Sequence, residues 1–222
     1  MEASEPVKIS RSVKLLQHAI GLLFWLTLVL PYARRVRGLD KIPPGRCLFV
    51  CNHVSLLDTL FLSGLLWRAG RLPMLVLGDK GAGNDSWTRR FLSGPFGYLL
   101  ERGKFNPRRL RELQTFGRAV KDFQLIVFPE GTRGNGVDVA ECQPGIFYVA
   151  AAARVAIVPV FIENMQRLST KLGKFHPVGG LRKVAFHFGD AIEPETYLPL
   201  PREEFPAFIR QKIIAARINE KI

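Results

Sequence analysis

A chain of 222 residues with 47% hydrophobic content is sized for one globular domain with a substantial core, and its length disfavours a second full domain. Its formal net charge of +13 favours polyanionic partners, either nucleic acid or anionic lipid headgroups, without choosing between them. Cys47, Cys51 and Cys142 form an odd set with no paired spacing, and His18, His53, His176 and His187 are scattered, so neither a disulfide framework nor a metal cluster has local support.

The first predicted element is an apolar arm. Leu15 to Ala33 reads LLQHAIGLLFWLTLVLPYA, free of Asp, Glu, Lys and Arg, between Lys14 and the basic run RRVR. That length suffices for a helix to cross a hydrocarbon core. Gln17 and His18 within it, Pro31 near its end and cations on both flanks favour a segment lying in the interface or entering one leaflet; a buried core helix is the plainer alternative. The expected organisation is a membrane-associating helical arm over 1–40 and a single domain over 41–222.

After the IPPG break at 42–45, short apolar runs alternate with helical periodicity. CLFVC (47–51), PMLVL (73–77), GYLLE (97–101), QLIVF (124–128), VAIVPVFI (155–162) and KVAFHFG (183–189) predict strands, most of them apolar at every position and so buried on both faces. Helical spacing predicts helices over 56–68, 107–121, 145–153 and from 202 to the C-terminus. Such alternation predicts an α/β fold, a single domain whose largely parallel or mixed central sheet is flanked by helices. Ligands in such sheets sit beyond the carboxyl ends of the strands.

VCNHVSLLDTLF (50–61) places His53 and Asp58 five positions apart where a strand gives way to a helix. Within one helix they would lie about 140° apart and could not meet, so His53 must precede the helix. Ser55 as N-cap would achieve this and put Asp58 in the first turn, its carboxylate turned back to the imidazole. Asp58 would then fix the tautomer and leave the other ring nitrogen as a base. A first-turn acid is also favoured by capping and the helix dipole whatever the chemistry, and both readings stand on this stretch alone.

LIVFPEGTRGNG (125–136) is a buried strand pattern opening into a glycine-rich turn. Arg133 offers a planar fork of donors for phosphate and Thr132 a hydroxyl, and Gly131 and Gly134 permit close backbone approach. Glu130 cannot bind phosphate, but can accept from a hydroxyl or hold an arginine. A solvated surface turn is the ordinary reading of the same residues. Lys80 and Arg102 each lie just beyond a predicted strand, and the glycine spacing of GDKGAGND (78–85) does not match a P-loop.

In order, NHVSLLD, FGYLLER, FPEGTR and AIVPVFI resemble the four blocks of the PlsC-like glycerophospholipid acyltransferases, the lysophosphatidic acid acyltransferase family, over about residues 40 to 190. The resemblance implies acyl transfer at a membrane from acyl-CoA or acyl-carrier protein to a glycerol hydroxyl, with no metal, no cofactor beyond the donor substrate and no acyl-enzyme. It makes His53 the general base and Asp58 its orienting carboxylate. Lys80, Arg102, Glu130, Gly131, Thr132 and Arg133 become acceptor-binding residues, and Pro159 borders the acyl region. Gln143 and Pro144 stand where the family often has a lysine, and Glu101 where it often has aspartate, which puts acceptor choice in doubt.

The expected function is therefore acyl transfer to a lysophospholipid, first 1-acylglycerol 3-phosphate giving phosphatidic acid, at an anionic surface on the cytoplasmic face of the inner or plasma membrane. Lyso-ornithine lipid or lysophosphatidylglycerol are rival acceptors. A non-catalytic basic module binding membrane or nucleic acid is the rival class. No nucleic acid is expected as partner, because the predicted strands lack the aromatic and basic interleaving of RNA-binding sheets.

Overall fold

The computed structural model describes residues 10–79, 97–100 and 124–218. Its centre is β2, Cys47–Cys51, buried at every position. Side chains alternate across a strand, so this uniformly apolar run feeds two cores: Leu48 and Val50 face one, and Cys47, Phe49 and Cys51 the other.

Seven strands form the sheet: β1 Ala33–Arg37, β2, β3 Met74–Asp79, β4 Gly97–Leu100, β5 Gln124–Val127, β6 Ala156–Glu163 and β7 Val184–Phe188. Their order is β1-β7-β6-β2-β5-β3-β4. All neighbours are parallel except β6 and β7, which run antiparallel from Val160↔Phe188 to Glu163↔Ala185. This is the helix-flanked, largely parallel sheet that the alternating pattern predicts.

Helices cover both faces. α1 (Arg11–Phe24) and α2 (Leu57–Arg68) lie on the Phe49 side, while α3 (Gly145–Ala153) and α4 (Phe205–Ile218) lie on the Leu48 side. The helix expected over 107–121 falls outside the described residues.

α1 begins at Ser10, whose Oγ accepts the N–H of Val13, and the helical path continues through a π-helical stretch, Trp25–Val29, to Tyr32. Among the described residues, Arg11–Tyr32 is one helix long and apolar enough to cross a membrane by length and composition. One side of it is nevertheless docked. Gln17 is fully buried, donating to the carbonyl of Met74 and accepting its N–H, both at 2.9 Å, so the polar residue inside the apolar run fastens the arm to the start of β3. Gly21 lies against Trp67 and Gly64 against the backbone at Trp25; a Cβ on either glycine would meet an atom within 3 Å. Leu15, Leu22, Leu26 and Leu30 point outward.

The basic run after the arm is an edge strand. Arg35 to Arg37 of β1 pair in register with Ala185 to His187, so the sheet takes in residues that precede position 41. Its edge position suits it: charged side chains on an outer strand discourage pairing with another chain. Gly38 ends it with φ of 69°, and a Cβ there would meet the carbonyl oxygen of Phe188 at 2.1 Å.

Candidate active site

The site is assembled at the carboxyl end of β2. Asn52 extends the ladder with its side chain, Nδ2 donating to the carbonyl of Ile162 at 3.0 Å and Oδ1 accepting the N–H of Ile162 at 2.6 Å. This amide fixes the point at which the chain leaves the sheet. His53 follows in non-helical backbone, and α2 starts at Leu57, one residue later than the spacing predicts.

Asp58 lies in the first turn of α2, fully buried, and its Oδ2 takes three neighbours: the N–H of Val54 at 2.6 Å, the N–H of Ser55 at 2.9 Å and Nδ1 of His53 at 2.8 Å. An oxygen already accepting two backbone donors requires the third neighbour to be a donor as well, so Nδ1 carries the proton and Nε2 has the lone pair. The N-cap position is Leu56, which makes no side-chain cap bond, and not Ser55 as the sequence predicts; Ser55 stands one residue earlier, its Oγ accepting from the N–H of Leu57 at 3.2 Å and donating to Oγ of Ser169 at 2.8 Å. Helix start and His–Asp pair are thus one arrangement.

The imidazole also stacks on Phe128, centroids 4.1 Å apart at 22°, and its side chain is 17% exposed. One ring face is covered, and part of the side chain stays exposed.

Glu130 is buried, and each oxygen holds a backbone donor: Oε1 the N–H of His53 at 2.7 Å, Oε2 the N–H of Ala140 at 3.0 Å. Burial raises its pKa, and the hydrogen bonds from His53 and Ala140 act against that rise. The carboxylate therefore fastens the glycine-rich loop to the histidine turn. The N–H of Gly134 completes the junction, donating to the carbonyl of His53 at 2.6 Å. Gly131 has φ of 70°, a conformation costly for other residues, and lets the chain reverse after Glu130.

Thr132 is exposed and Arg133 half-buried on the turn between these glycines. Arg133 forms no hydrogen bond or ion pair with any described residue, so its guanidinium is available on the loop pinned to His53. Pro159 sits deeper, in β6 opposite Val50, with its carbonyl accepting from Gly189 where the β7 ladder ends. Lys80 and Arg102 lie outside the described residues.

Asn52, Phe128, Ala140 and Ser169 escape the sequence reading. Asn52 and Phe128 are the first residues of the NHVSLLD and FPEGTR motifs, a position that could have drawn attention to them; the other two are brought in only by tertiary folding.

A part-buried histidine on a buried aspartate at a strand's carboxyl end, joined to a loop whose arginine has no partner among the described residues, sits in a helix-flanked α/β domain. The profile of the family described as Acyltransferase matches residues 33–163, and the chain belongs to that family. It is 28% identical over 151 residues to 1-acyl-sn-glycerol-3-phosphate acyltransferase beta from Homo sapiens, covering 66% of this chain and 51% of that protein. A probable 1-acyl-sn-glycerol-3-phosphate acyltransferase from Mycoplasma genitalium is 29% identical over 192 residues, 82% of this chain and 70% of that one. The chain spans about half the length of the human and Saccharomyces cerevisiae relatives. In fold it resembles the crystal structure of the 1-acyl-sn-glycerophosphate acyltransferase PlsC from Thermotoga maritima, with TM-score 0.64 and 19% identity over 97% of this chain and 85% of that one.

Proposed function

We propose that the protein is a membrane-associated O-acyltransferase that moves a fatty acyl group from acyl-CoA or acyl-carrier protein to the free hydroxyl of a lysophospholipid, with 1-acylglycerol 3-phosphate as acceptor and phosphatidic acid as product. The observation that carries the reading is the 2.8 Å contact between His53 Nδ1 and Asp58 Oδ2, which leaves Nε2 as a base on a partly open ring. Family membership and the names of the relatives support the reaction class.

In this mechanism the acceptor hydroxyl attacks the thioester carbonyl while Nε2 takes its proton. The C–O bond forms, the tetrahedral centre collapses, the C–S bond breaks, and the imidazolium returns the proton to the thiolate. Asp58 holds the ring and its charge throughout. Arg133 binds the acceptor phosphate with Thr132 beside it; Lys80 and Arg102 are assigned to the same task, and Pro159 to the border of the acyl region.

α1, open along one side and docked along the other, is proposed to lie in the cytoplasmic leaflet of the inner or plasma membrane and to draw acceptor from it. The division into an arm over 1–40 and an acyltransferase domain over 41–222 belongs to this proposal. The test is mass spectrometry of products from purified protein supplied with both donors and a panel of lysolipids. Phosphatidic acid as the dominant product supports the acceptor assignment; lyso-ornithine lipid or lysophosphatidylglycerol as the preferred acceptor overturns that assignment, and no acyl product from any acceptor overturns the activity.

A further inference from the structure

β6 and β7 are antiparallel neighbours, which a two-residue hairpin can join, yet residues 164–183 connect them. A connection of that length inside a compact domain generally serves something other than topology. Its base is rigid: Met165, Leu168 and Ser169 are buried, and Gly180 packs so closely on Leu168 that a Cβ would meet it at 2.4 Å. Beyond the base, Ser169 pairs with Phe175 around a turn closed by Thr170 and Lys174, and Pro177–Gly180 forms one helical turn.

This ordered excursion presents apolar side chains to water. Leu172 is 86% and Val178 88% exposed, above every other large hydrophobic among the described residues, with Phe175 and Leu181 half-exposed beside them. Solvent does not favour such tips, and nothing in the described fold covers them. Between them stand Lys171, Lys174, Arg182 and Lys183, all exposed, and no Asp or Glu occurs from Met165 to Lys183. Apolar tips among cations of one sign are what insertion into an anionic lipid interface requires.

We propose that residues 170–183 are a second bilayer-contacting element, which inserts Leu172, Phe175, Val178 and Leu181 among anionic lipids beside the arm. The position supports it: Phe175 meets the ring of Tyr32 at 6.3 Å, and the N–H of Arg182 donates to the carbonyl of Pro31, so the loop adjoins the end of the apolar helix. Its root is tied to the catalytic turn through Ser169 and Ser55. Loop and arm together would hold the mouth of the His53 site at a fixed tilt to the lipid surface. The choice of a bilayer as occupant accords with the reading of the chain as a membrane-acting acyltransferase, but the loop's insertion is read separately.

The test uses the full chain carrying Val178→Cys labelled with an environment-sensitive fluorophore, the native cysteines Cys47, Cys51 and Cys142 being buried. Vesicles of phosphatidylcholine with and without phosphatidylglycerol are added, and flotation is followed in parallel. The expected result is a blue shift and brightening with the anionic vesicles, and a loss of flotation on the order of tenfold in the L172S/V178S double variant. Flotation with an unchanged label overturns the proposal and leaves the arm's role standing. No flotation at all overturns both. A label that responds equally to neutral vesicles overturns the anionic preference, and one that responds to protein concentration alone assigns the surface to self-association and overturns the proposal.

Discussion

The carboxylate of Glu130 accepts the backbone N–H of His53 at 2.7 Å, so the acid of the glycine-rich loop sets the position of the histidine. A glutamine at 130 can offer an oxygen to only one of the two backbone donors and must turn an NH2 group toward the other. Glu130→Gln is expected to lose about 1–3 kcal/mol of stability. It should also lower kcat by roughly tenfold while leaving acceptor KM near its original value if the group Glu130 positions is the proposed base, His53. Denaturant melts with steady-state kinetics check this; a rise in KM with unchanged kcat would return Glu130 to direct acceptor contact.

His53→Ala removes the proposed base and is expected to lower kcat/KM by roughly a hundred- to ten-thousandfold with the fold intact. Asp58 divides differently. Asp58→Asn can keep an oxygen toward Val54, Ser55 and His53, so it should melt near the parent while turnover falls through loss of the charge that supports the imidazolium. Asp58→Ala strands buried donors and should cost about 2–4 kcal/mol as well. Equal turnover in all three variants and the parent would remove the pair from the mechanism.

Arg133→Ala tests the clamp. Loss of charge-assisted hydrogen bonds of about 1.5–3 kcal/mol corresponds to a rise in KM for 1-acylglycerol 3-phosphate of roughly ten- to a hundredfold. An acceptor without a phosphate should be affected far less. A uniform change across acceptors would show that Arg133 supports the loop instead.

Acid should weaken the fold through His187. Its Nε2 lies 3.3 Å from Oε2 of Glu163, while Nδ1 is buried without a partner among the described residues. Burial lowers its pKa, Arg37 and Arg35 lower it further, and the bond from Glu163 only partly opposes them. The native state thus favours the neutral ring, so this contribution is complete above the ordinary histidine value and is lost as the pH falls below it toward the depressed native value. Glu163 adds to the loss at lower pH. Burial pushes its pKa up, but bonds from Arg217 and His187 outweigh that and hold it down, so its contribution disappears as the pH falls below the ordinary carboxylate value. Glu130 runs the other way, since its raised pKa makes stability fall as the pH rises. Urea midpoints at pH about 7.5 and about 5.5 should converge in His187→Gln relative to the parent; an unchanged difference would place the sensitivity elsewhere.

Much of this was legible from the chain. β2 occupies the residues its uniform apolar run predicts, because a strand buried on both faces leaves no polar phase to misread. α3 likewise coincides with its predicted range, 145–153. β1 was hidden, because a short basic edge strand is partnered by β7 about 150 residues later and has no periodicity of its own. In the sequence Gln17 is a polar interruption of an apolar run, whereas in the fold it makes two hydrogen bonds to Met74, a partner 57 residues away that no local pattern announces. At the site, the His53–Asp58 contact followed from helix geometry, which requires His53 to precede the helix, although the N-cap is Leu56 and not Ser55. The occupation of Glu130 by two backbone N–H groups did not, since no pattern of side chains announces which peptide groups will need an acceptor.

The oxygen shared by His53, Val54 and Ser55 gives the interval from 53 to 58 the character of a gauge. One residue inserted before Asp58 would swing its carboxylate by about 100° around the helix axis, releasing the backbone cap and the imidazole in the same event. A chain that loses the spacing loses the local fold with the chemistry, so no well-folded form with a slightly misplaced base lies one insertion away. The residues between, Leu56 and Leu57 among them, send no side chain to that oxygen. The count is what that oxygen reads, while Val54 and Ser55 are held by separate demands, burial in the core and the bond to Ser169.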